Sequence, residues 1–246
     1  MPAVVFSAAV YLLLHLVALL LVLFVADLWL PQSIDRSIWP PLPPLPAAAI
    51  DIGLIALFGL QHSVMARAGF KRRLARLVPP SLERSLYVLA TLLVLIVLML
   101  FWQPVALPVW QVDSIYLDSL LWALFGLGWL IVAASTFMID HWDLFGISQA
   151  LRAWRGTAPP AADFRTPGLY RMVRHPLYAG FLLAFWSAPL MTAGHLLFAA
   201  GMTVYVLVGM AHEERDLLRL FGDRYRDYRR RVPALLPGLK GFSSQG

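Results

Sequence analysis

A histidine followed by a proline lies at the predicted start of an apolar helix, in the segment from Phe164 to Gly180. Pro176 favours the first helical position and biases His175 toward an extended conformation. A helix start presents unpaired N–H groups and the positive end of the helix dipole, which together attract a carboxylate. Arg174 flanks this position, and Tyr178 lies within the first turn. The pattern predicts an anion-binding site at the start of this helix.

A second segment, from Ala211 to Pro233, carries two adjacent carboxylates where an apolar stretch ends. Glu213 and Glu214 are neighbours, and because adjacent helical side chains diverge, we expect one of them to face any given site. A basic and aromatic stretch follows, with Tyr225 and Tyr228 on one face, which is typical of an amphipathic helix on a membrane surface. We expect the two polar pieces of the chain, residues 140–175 and 212–240, to meet at that surface, where a polar cofactor can enter.

The composition indicates a membrane protein. The chain has 246 residues, of which 60% are hydrophobic and 14% are charged, and its mean hydropathy is +0.71. A water-soluble core of this size cannot bury so many apolar side chains. The absence of cysteine excludes disulfides, thiolate metal sites and a cysteine nucleophile. The net charge of +6 does not indicate a nucleic-acid partner, because the basic residues lie in loops between apolar segments.

Six apolar segments are predicted to be transmembrane helices, because backbone groups in lipid must be satisfied internally and a crossing needs ~20 residues. The first has no basic segment before it and no cleavage site after it, so we interpret it as an anchor. The last two are short and nearly contiguous, which predicts a tight helical hairpin; five spans with a re-entrant pair are the alternative. The predicted helices are Ala3–Ala26, Ala47–Val64, Leu82–Trp102, Tyr116–Ile139, Pro176–Thr192 and His195–Ala211.

Basic residues predict the orientation, because Lys and Arg accumulate in cytoplasmic loops. With six spans and the N-terminus inside, 19 of the 20 Lys and Arg residues fall on the cytoplasmic side, Lys240 included. The exception is Arg36, which precedes a proline-rich loop, Pro40 to Pro46, that is predicted to be non-helical. The basic cluster from Arg67 to Arg76 is also expected to contact anionic membrane lipid.

The predicted fold class is therefore all-α: a polytopic integral membrane protein of about six transmembrane helices, with a C-terminal helical hairpin and an amphipathic tail. Residues 1–139 are predicted to form an N-terminal region of four transmembrane helices. Residues 140–246 are predicted to form a cofactor-binding region with a cytoplasmic loop, the hairpin and the tail. Both termini and the active site are predicted to be cytoplasmic, with the protein in a bacterial inner membrane.

The two polar segments resemble the shared C-terminal region of the isoprenylcysteine carboxyl methyltransferase superfamily of membrane enzymes. Arg174 to Gly180 matches its Arg-His-Pro-x-Tyr-x-Gly element, and Glu213 to Pro233 matches its Glu-Glu…Phe-Gly-x-x-Tyr-x-x-Tyr…Val-Pro tail. In that family this region encloses S-adenosylmethionine, so the resemblance implies the same cofactor here, in a pocket without a metal. The residues that it implies in the pocket are Arg174, His175, Leu177, Tyr178 and Glu213 or Glu214.

A closer resemblance, which extends over most of the chain, is to methanethiol S-methyltransferases. It includes the strings from Met191 to Ala199 and from Ile139 to Gly146. This resemblance implies S-methylation of a small thiol, methanethiol, to dimethyl sulfide. A prenylcysteine carboxylate or a lipid amine is an alternative acceptor. The C-terminal half also resembles NnrU-type proteins linked to denitrification, so a non-enzymatic membrane protein is a further alternative.

The chemical groups of S-adenosylmethionine suggest partners along the chain. Arg174 and the helix start suit its carboxylate, and one of the adjacent glutamates suits its ammonium group or its ribose hydroxyls. An aromatic ring that faces the sulfonium contributes ~0.5–2 kcal/mol as a cation–π contact. The candidates for that contact are Tyr178, Tyr170 and Trp142, and the residues predicted to cover the cofactor are Gln149 and Arg152.

His141 is the predicted catalytic base. An alkyl thiol resembles cysteine (pKa ~8.5) or is a weaker acid, so a base or a local positive potential helps to form the thiolate. His141 follows the fourth predicted span, with Asp140 and Asp143 beside it. The positive charge of the cofactor is the alternative, and it requires no base.

Two further histidines are predicted to lie within spans. Ionisable residues inside a membrane are functional candidates by default. We expect His15 to bond a neighbouring helix in its neutral form, and we expect His62 to make a structural hydrogen bond.

Overall fold

The computed structural model describes residues 1–161 and 163–238, so Lys240 lies outside the described residues. The described residues are mainly helical, which confirms the all-α prediction. Their sheet is one short antiparallel pair, β1 (Pro108–Gln111) with β2 (Leu190–Thr192). The helices are α1 (Pro2–Val25), α2 (Pro44–Ala66), α3 (Ala68–Leu74), α4 (Pro80–Phe101), α5 (Ile115–Ile139), α6 (His141–Leu144), α7 (Ile147–Arg155), α8 (Pro176–Trp186), α9 (Ala193–Phe221) and α10 (Asp223–Arg231).

Five of the described helices are long and apolar enough to cross a membrane: α1, α2, α4, α5 and α9. The protein is therefore an integral membrane protein. The first four predicted spans agree with α1, α2, α4 and α5 to within three residues at each end. The agreement arises because a bilayer ~30 Å thick imposes both the length and the apolar character of a helix that crosses it.

The C-terminal hairpin differs from its prediction. The helix expected over Pro176–Thr192 ends at Trp186, so that α8 has 11 residues, or about 16 Å of helix, which is shorter than the ~20 residues that a fully helical crossing needs. Pro189 follows shortly after, and the residue before a proline is biased toward extended backbone. The next helix, α9, continues ten residues beyond its predicted end at Ala211 and contains both glutamates. A count of six crossings therefore stays a prediction.

Proline begins several of these helices. Pro44 is the first residue of α2, and Pro46 lies in the same turn. The prediction that the loop from Pro40 to Pro46 is non-helical is therefore wrong for its last residues. The first N–H groups of a helix have no helical partner, so a proline there removes no hydrogen bond.

The described residues form two compact units. The first comprises residues 1–111, 141–160 and 190–201, and the second comprises the described residues within 112–140, 161–189 and 202–238. In the first unit α1 packs against α4 and α7, and α2 packs against α4. In the second unit α5 packs along α8. The division of the chain into an N-terminal region, 1–139, and a cofactor-binding region, 140–246, stays a prediction.

Two glycines allow α5 and α8 to approach closely within the second unit. A Cβ atom on Gly128 would lie 2.7 Å from the backbone nitrogen of Ala184 and from the carbonyl oxygen of Gly180. A Cβ atom on Gly180 would lie 2.7 Å from the carbonyl oxygen of Gly128. Small residues at such contacts let membrane helices pack backbone against backbone. This contact holds α8, whose first residue is Pro176, against a transmembrane helix.

We expect Gly180→Ala to lower the melting temperature of the detergent-purified protein, because the new methyl group meets backbone atoms that cannot rotate away. Overpacking of this kind costs about 1–3 kcal/mol. Gly126→Ala is the matched control on α5, since a Cβ there meets nothing within 4 Å. Equal melting of the two variants would contradict the close contact.

Candidate active site

The chain directly before α8 is non-helical and pairs with the tail of the second unit. The backbone N–H of Arg174 donates to the carbonyl oxygen of Pro233 (2.8 Å), and that of His175 donates to Ala234 (3.0 Å). Pro176 then begins α8, as the sequence predicts, with His175 at φ −127° and ψ 64°. This pairing gives the Val-Pro element of the tail a structural role that the sequence pattern does not reveal.

An ion pair between Arg174 and Glu214 lies at the centre of this region. The Nε and Nη2 atoms of Arg174 lie 2.8 and 2.7 Å from Oε1 of Glu214. Its Nη1 atom donates to the carbonyl oxygens of Val232 (2.6 Å) and Arg229 (3.2 Å). The two charged side chains are only 11% and 14% exposed. One guanidinium therefore ties the start of α8 to α9 and to the tail.

His175 joins this ion pair and brings both predicted glutamates to one ring. Its Nε2 atom lies 3.1 Å from Oε1 of Glu214, and its Nδ1 atom lies 3.7 Å from Oε2 of Glu213. The ring is buried and stacks on Tyr178, with centroids 5.5 Å apart. The Glu213 side chain remains 45% exposed. The structure thus brings together Arg174, His175, Tyr178, Glu213 and Glu214, with Leu177 half-buried in the first turn of α8.

Three tyrosines, Tyr170, Tyr225 and Tyr228, lie in the same unit. Tyr228 donates its hydroxyl to the carbonyl oxygen of Tyr170, and the ring of Phe164 packs against Tyr225 and Tyr228. Burial raises the pKa of Tyr228 to about 12, and burial also raises the pKa of Tyr225 and Tyr170. These hydroxyls therefore stay protonated at neutral pH. The hydroxyl of Tyr225 has no hydrogen-bond partner among the described residues, although an unsatisfied buried group costs about 1–3 kcal/mol.

The predicted base, His141, belongs to the first unit. It begins α6 and is buried. Its Nε2 atom lies 2.6 Å from the hydroxyl oxygen of Tyr11 on α1, and the rings of Phe145 and Trp142 lie 5.0 and 5.5 Å from its own. Burial lowers the pKa of His141, and the nearby His15 lowers it further. The imidazole is therefore neutral at pH 7.

The residues around His141 are held by their own contacts. Asp143 forms an ion pair with Arg152, and its carbonyl oxygen accepts a hydrogen bond from Gln149 (3.0 Å). Arg84 donates from Nε to the carbonyl oxygen of Leu144 (2.6 Å). The buried Oε1 atom of Gln149 has no hydrogen-bond partner among the described residues. Contacts from α4 and α7 therefore fix the turn that carries His141.

The other predicted residues have different surroundings. Asp140 is the C-terminal cap of α5 in the second unit. His62 lies 3.1 Å from the hydroxyl of Thr91 on α4, which confirms a structural hydrogen bond. His15 donates to the carbonyl oxygen of Tyr11 one turn earlier. The prediction that His15 bonds a neighbouring helix is wrong here, because the Nδ1 atom of this exposed ring donates within α1, to the carbonyl oxygen four residues before it.

The predicted site residues thus form two groups, one in each unit, and the roles predicted for them stay predictions. Sequence reasoning missed Arg229, whose Nη1 atom lies 3.7 Å from Oε2 of Glu214, and it missed Tyr11. The spacing of four residues places Tyr11 and His15 on one face of α1, but it does not indicate the contact of Tyr11 with His141.

Comparisons with known proteins identify the family. The family model described as NnrU protein matches residues 52–236. The chain belongs to the NnrU family. The methanethiol S-methyltransferase of Mycobacterium tuberculosis is 47% identical over 234 residues, which cover 95% of each chain. Methanethiol S-methyltransferase 2 of Bradyrhizobium diazoefficiens is 52% identical over 219 residues, 88% of this chain and 82% of that protein.

A more distant relative is nurim from Xenopus laevis, 36% identical over 165 residues, 64% of this chain and 58% of that protein. No solved structure matches this NnrU-family chain. The bacterial relatives confirm the resemblance stated above. They also identify this family member as a methyltransferase.

We expect Glu214→Ala to destabilise the protein strongly, because it leaves Arg174 buried without its counter-charge. Removal of one partner from a buried ion pair costs about 3–5 kcal/mol. Thermal unfolding in detergent measures the effect. Asp216→Ala is the control on the same helix, since the Asp216 side chain is 76% exposed. If both variants melt like the wild type, the ion pair does not stabilise this unit.

Proposed function

We propose that this protein transfers the methyl group of S-adenosylmethionine to the sulfur of methanethiol, and that it releases dimethyl sulfide and S-adenosylhomocysteine. Two observations support this proposal. The relatives that cover most of the chain are methanethiol S-methyltransferases. The start of α8 and the acidic part of α9 meet in one cluster that holds His175, Glu213 and Glu214.

The residues of this cluster fit S-adenosylmethionine, which when bound supplies a methyl group activated by a sulfonium. The half-exposed carboxylate of Glu213 suits its ammonium group or its ribose hydroxyls. The unpaired hydroxyl of Tyr225 suits an acceptor atom, since this buried donor lacks a protein partner among the described residues. The N–H groups of Leu177 and Tyr178 in the first turn of α8 suit its carboxylate.

Arg174 has a different part in this proposal from the one that the sequence suggests. Its guanidinium already contacts Glu214 and two carbonyl oxygens. It therefore holds the start of α8 in place and contributes positive charge there. Tyr178, whose ring stacks on His175, is the aromatic face that we assign to the sulfonium.

His141 is proposed to accept the proton of the thiol. It is neutral at pH 7, because burial lowers its pKa, and a neutral imidazole is a competent acceptor. The reaction between a thiolate and a sulfonium neutralises charge, so a site without water favours it. The ion pair between Asp143 and Arg152 supports the turn around His141.

The test is an assay of purified protein with S-adenosylmethionine and methanethiol, with dimethyl sulfide and S-adenosylhomocysteine measured together. We expect the two products in equal amounts. Loss of a general base lowers kcat by about 10²–10⁴-fold, so His141→Ala should reduce kcat and leave the KM for S-adenosylmethionine unchanged. The acid limb of the kcat profile should lie below pH ~6.5, because protonation of His141 removes its acceptor and its pKa is lowered from that value.

A prenylcysteine and a lipid amine serve as alternative acceptors in the same assay. If either one is methylated and the thiol is not, that compound replaces methanethiol as the proposed acceptor. Absence of turnover with every thiol, in a folded and S-adenosylmethionine-binding preparation, would end the proposal of thiol methylation.

We also propose that the protein lies in the bacterial inner membrane with both termini and the active site facing the cytoplasm, and that residues 140–246 hold the methyl donor. The distribution of Lys and Arg supports this orientation. Because the chain contains no cysteine, single cysteines can be introduced into an otherwise unreactive background. We expect an impermeant maleimide to label Pro41→Cys in intact cells, and to label Thr157→Cys only after lysis. Labelling of Thr157→Cys in intact cells would reverse the orientation.

A further inference from the structure

The hydrogen bond between Tyr11 and His141 lies in the first unit and joins α1 to α6. The hydroxyl oxygen of Tyr11 is 2.6 Å from Nε2 of His141, across 130 residues of sequence. The Tyr11 ring also contacts His15 (4.5 Å between centroids), Trp142 (5.3 Å) and Phe145 (6.2 Å). The pair is therefore a polar contact surrounded by aromatic rings, which is the kind of surface that suits a small alkyl thiol.

We propose that Tyr11 and His141 form a proton relay for the acceptor thiol. The Tyr11 oxygen takes the S–H proton while the Tyr11 hydroxyl proton passes to Nε2 of His141. The products of this proton transfer are a thiolate, an imidazolium and an unchanged phenol, so charge and protons balance. This inference rests on the proposed function.

The short contact explains why Tyr11 takes part. Nε2 of His141 is already engaged by the Tyr11 hydroxyl, so a proton reaches this nitrogen through Tyr11. A phenol oxygen donates one hydrogen bond and still accepts another. A tyrosine is too weak an acid to ionise near neutral pH (pKa ~10), so it passes a proton on without becoming a lasting phenolate.

The charges around the pair keep His141 neutral before each turnover. Burial lowers the pKa of His141, and His15, beside it on α1, lowers it further. Asp143 on α6 is paired with Arg152 of α7, and Arg84 of α4 donates to the carbonyl oxygen of Leu144. Asp140 directly precedes His141 in the chain. A histidine with a lowered pKa returns its proton readily, which resets the relay.

The relay assigns the proton of neutral His141 to Nδ1, because Nε2 must accept from Tyr11. This assignment is testable without turnover. In detergent micelles, ¹⁵N NMR of labelled histidine, with His141 identified by the loss of its signals in His141→Gln, reports which nitrogen carries the proton. We expect the Nδ1–H form at pH 7, and we expect Tyr11→Phe to shift the Nε2 signal. An Nε2–H form, or an Nε2 signal that Tyr11→Phe leaves in place, would overturn the relay.

We expect Tyr11→Phe to lower kcat for methanethiol at pH 7 by at least about 10²-fold, the scale of lost general-base catalysis. The deficit should shrink as the pH rises, and it should shrink with the more acidic 2,2,2-trifluoroethanethiol, because a thiolate has no proton to relay. Tyr116→Phe is the control, since the Tyr116 side chain is 85% exposed, and it should leave kcat unchanged. The variant keeps the aromatic ring, and equal melting temperatures establish that it folds.

A deficit that is the same for both thiols and at every pH would show that Tyr11 has only a structural role, and it would overturn the relay. If wild-type protein methylates neither thiol, the proposed function fails and the thiol is not the proton source. The NMR result then shows independently whether Tyr11 donates to Nε2 of His141. Failure of the proposed function and failure of the relay are therefore distinguishable.

Discussion

The buried ion pair between Arg174 and Glu214 is the interaction on which the proposed donor site depends. An isolated charge in such surroundings costs several kcal/mol, and removal of one partner leaves the other uncompensated. The guanidinium also holds the carbonyl oxygen of Val232, and His175 adds a third contact to the same carboxylate oxygen. Three segments that lie far apart in sequence, namely the start of α8, the later part of α9 and the tail, are therefore fixed by one set of charges.

This arrangement separates the groups that hold the structure from those that remain for a ligand. Arg174 and Glu214 satisfy each other, whereas the Glu213 carboxylate is half-exposed and the Tyr225 hydroxyl lacks a partner among the described residues. The first unit shows a related division around His141. There the ion pair of Asp143 and Arg152 supports the turn. The hydrogen bond between Tyr11 and His141 is the contact that we assign to proton transfer.

Much of the fold follows from the sequence because the bilayer constrains it. Four spans agree closely with their predictions, since a crossing fixes both length and polarity, and the break at His175 follows from the sterics of Pro176. The short α8 was not predicted, because apolar composition alone does not distinguish a helix from the extended chain that follows Trp186. The contact of Tyr11 with His141 spans 130 residues, and no local pattern signals it. The sequence indicates Arg174 and Glu214 as candidate site residues, but their contact with each other depends on packing that the sequence pattern does not show.

The decisive measurement is calorimetric titration of purified protein with S-adenosylhomocysteine, which keeps the carboxylate, the ammonium group and the ribose of the donor but lacks its methyl group and its sulfonium charge. We expect saturable binding to the wild type and at least tenfold weaker binding to Glu213→Gln. The melting temperature of this variant should stay unchanged, because the Glu213 side chain is outside the buried ion pair. Absence of binding to folded wild-type protein, or equal affinity in Glu213→Gln, would contradict a donor site at the junction of α8 and α9.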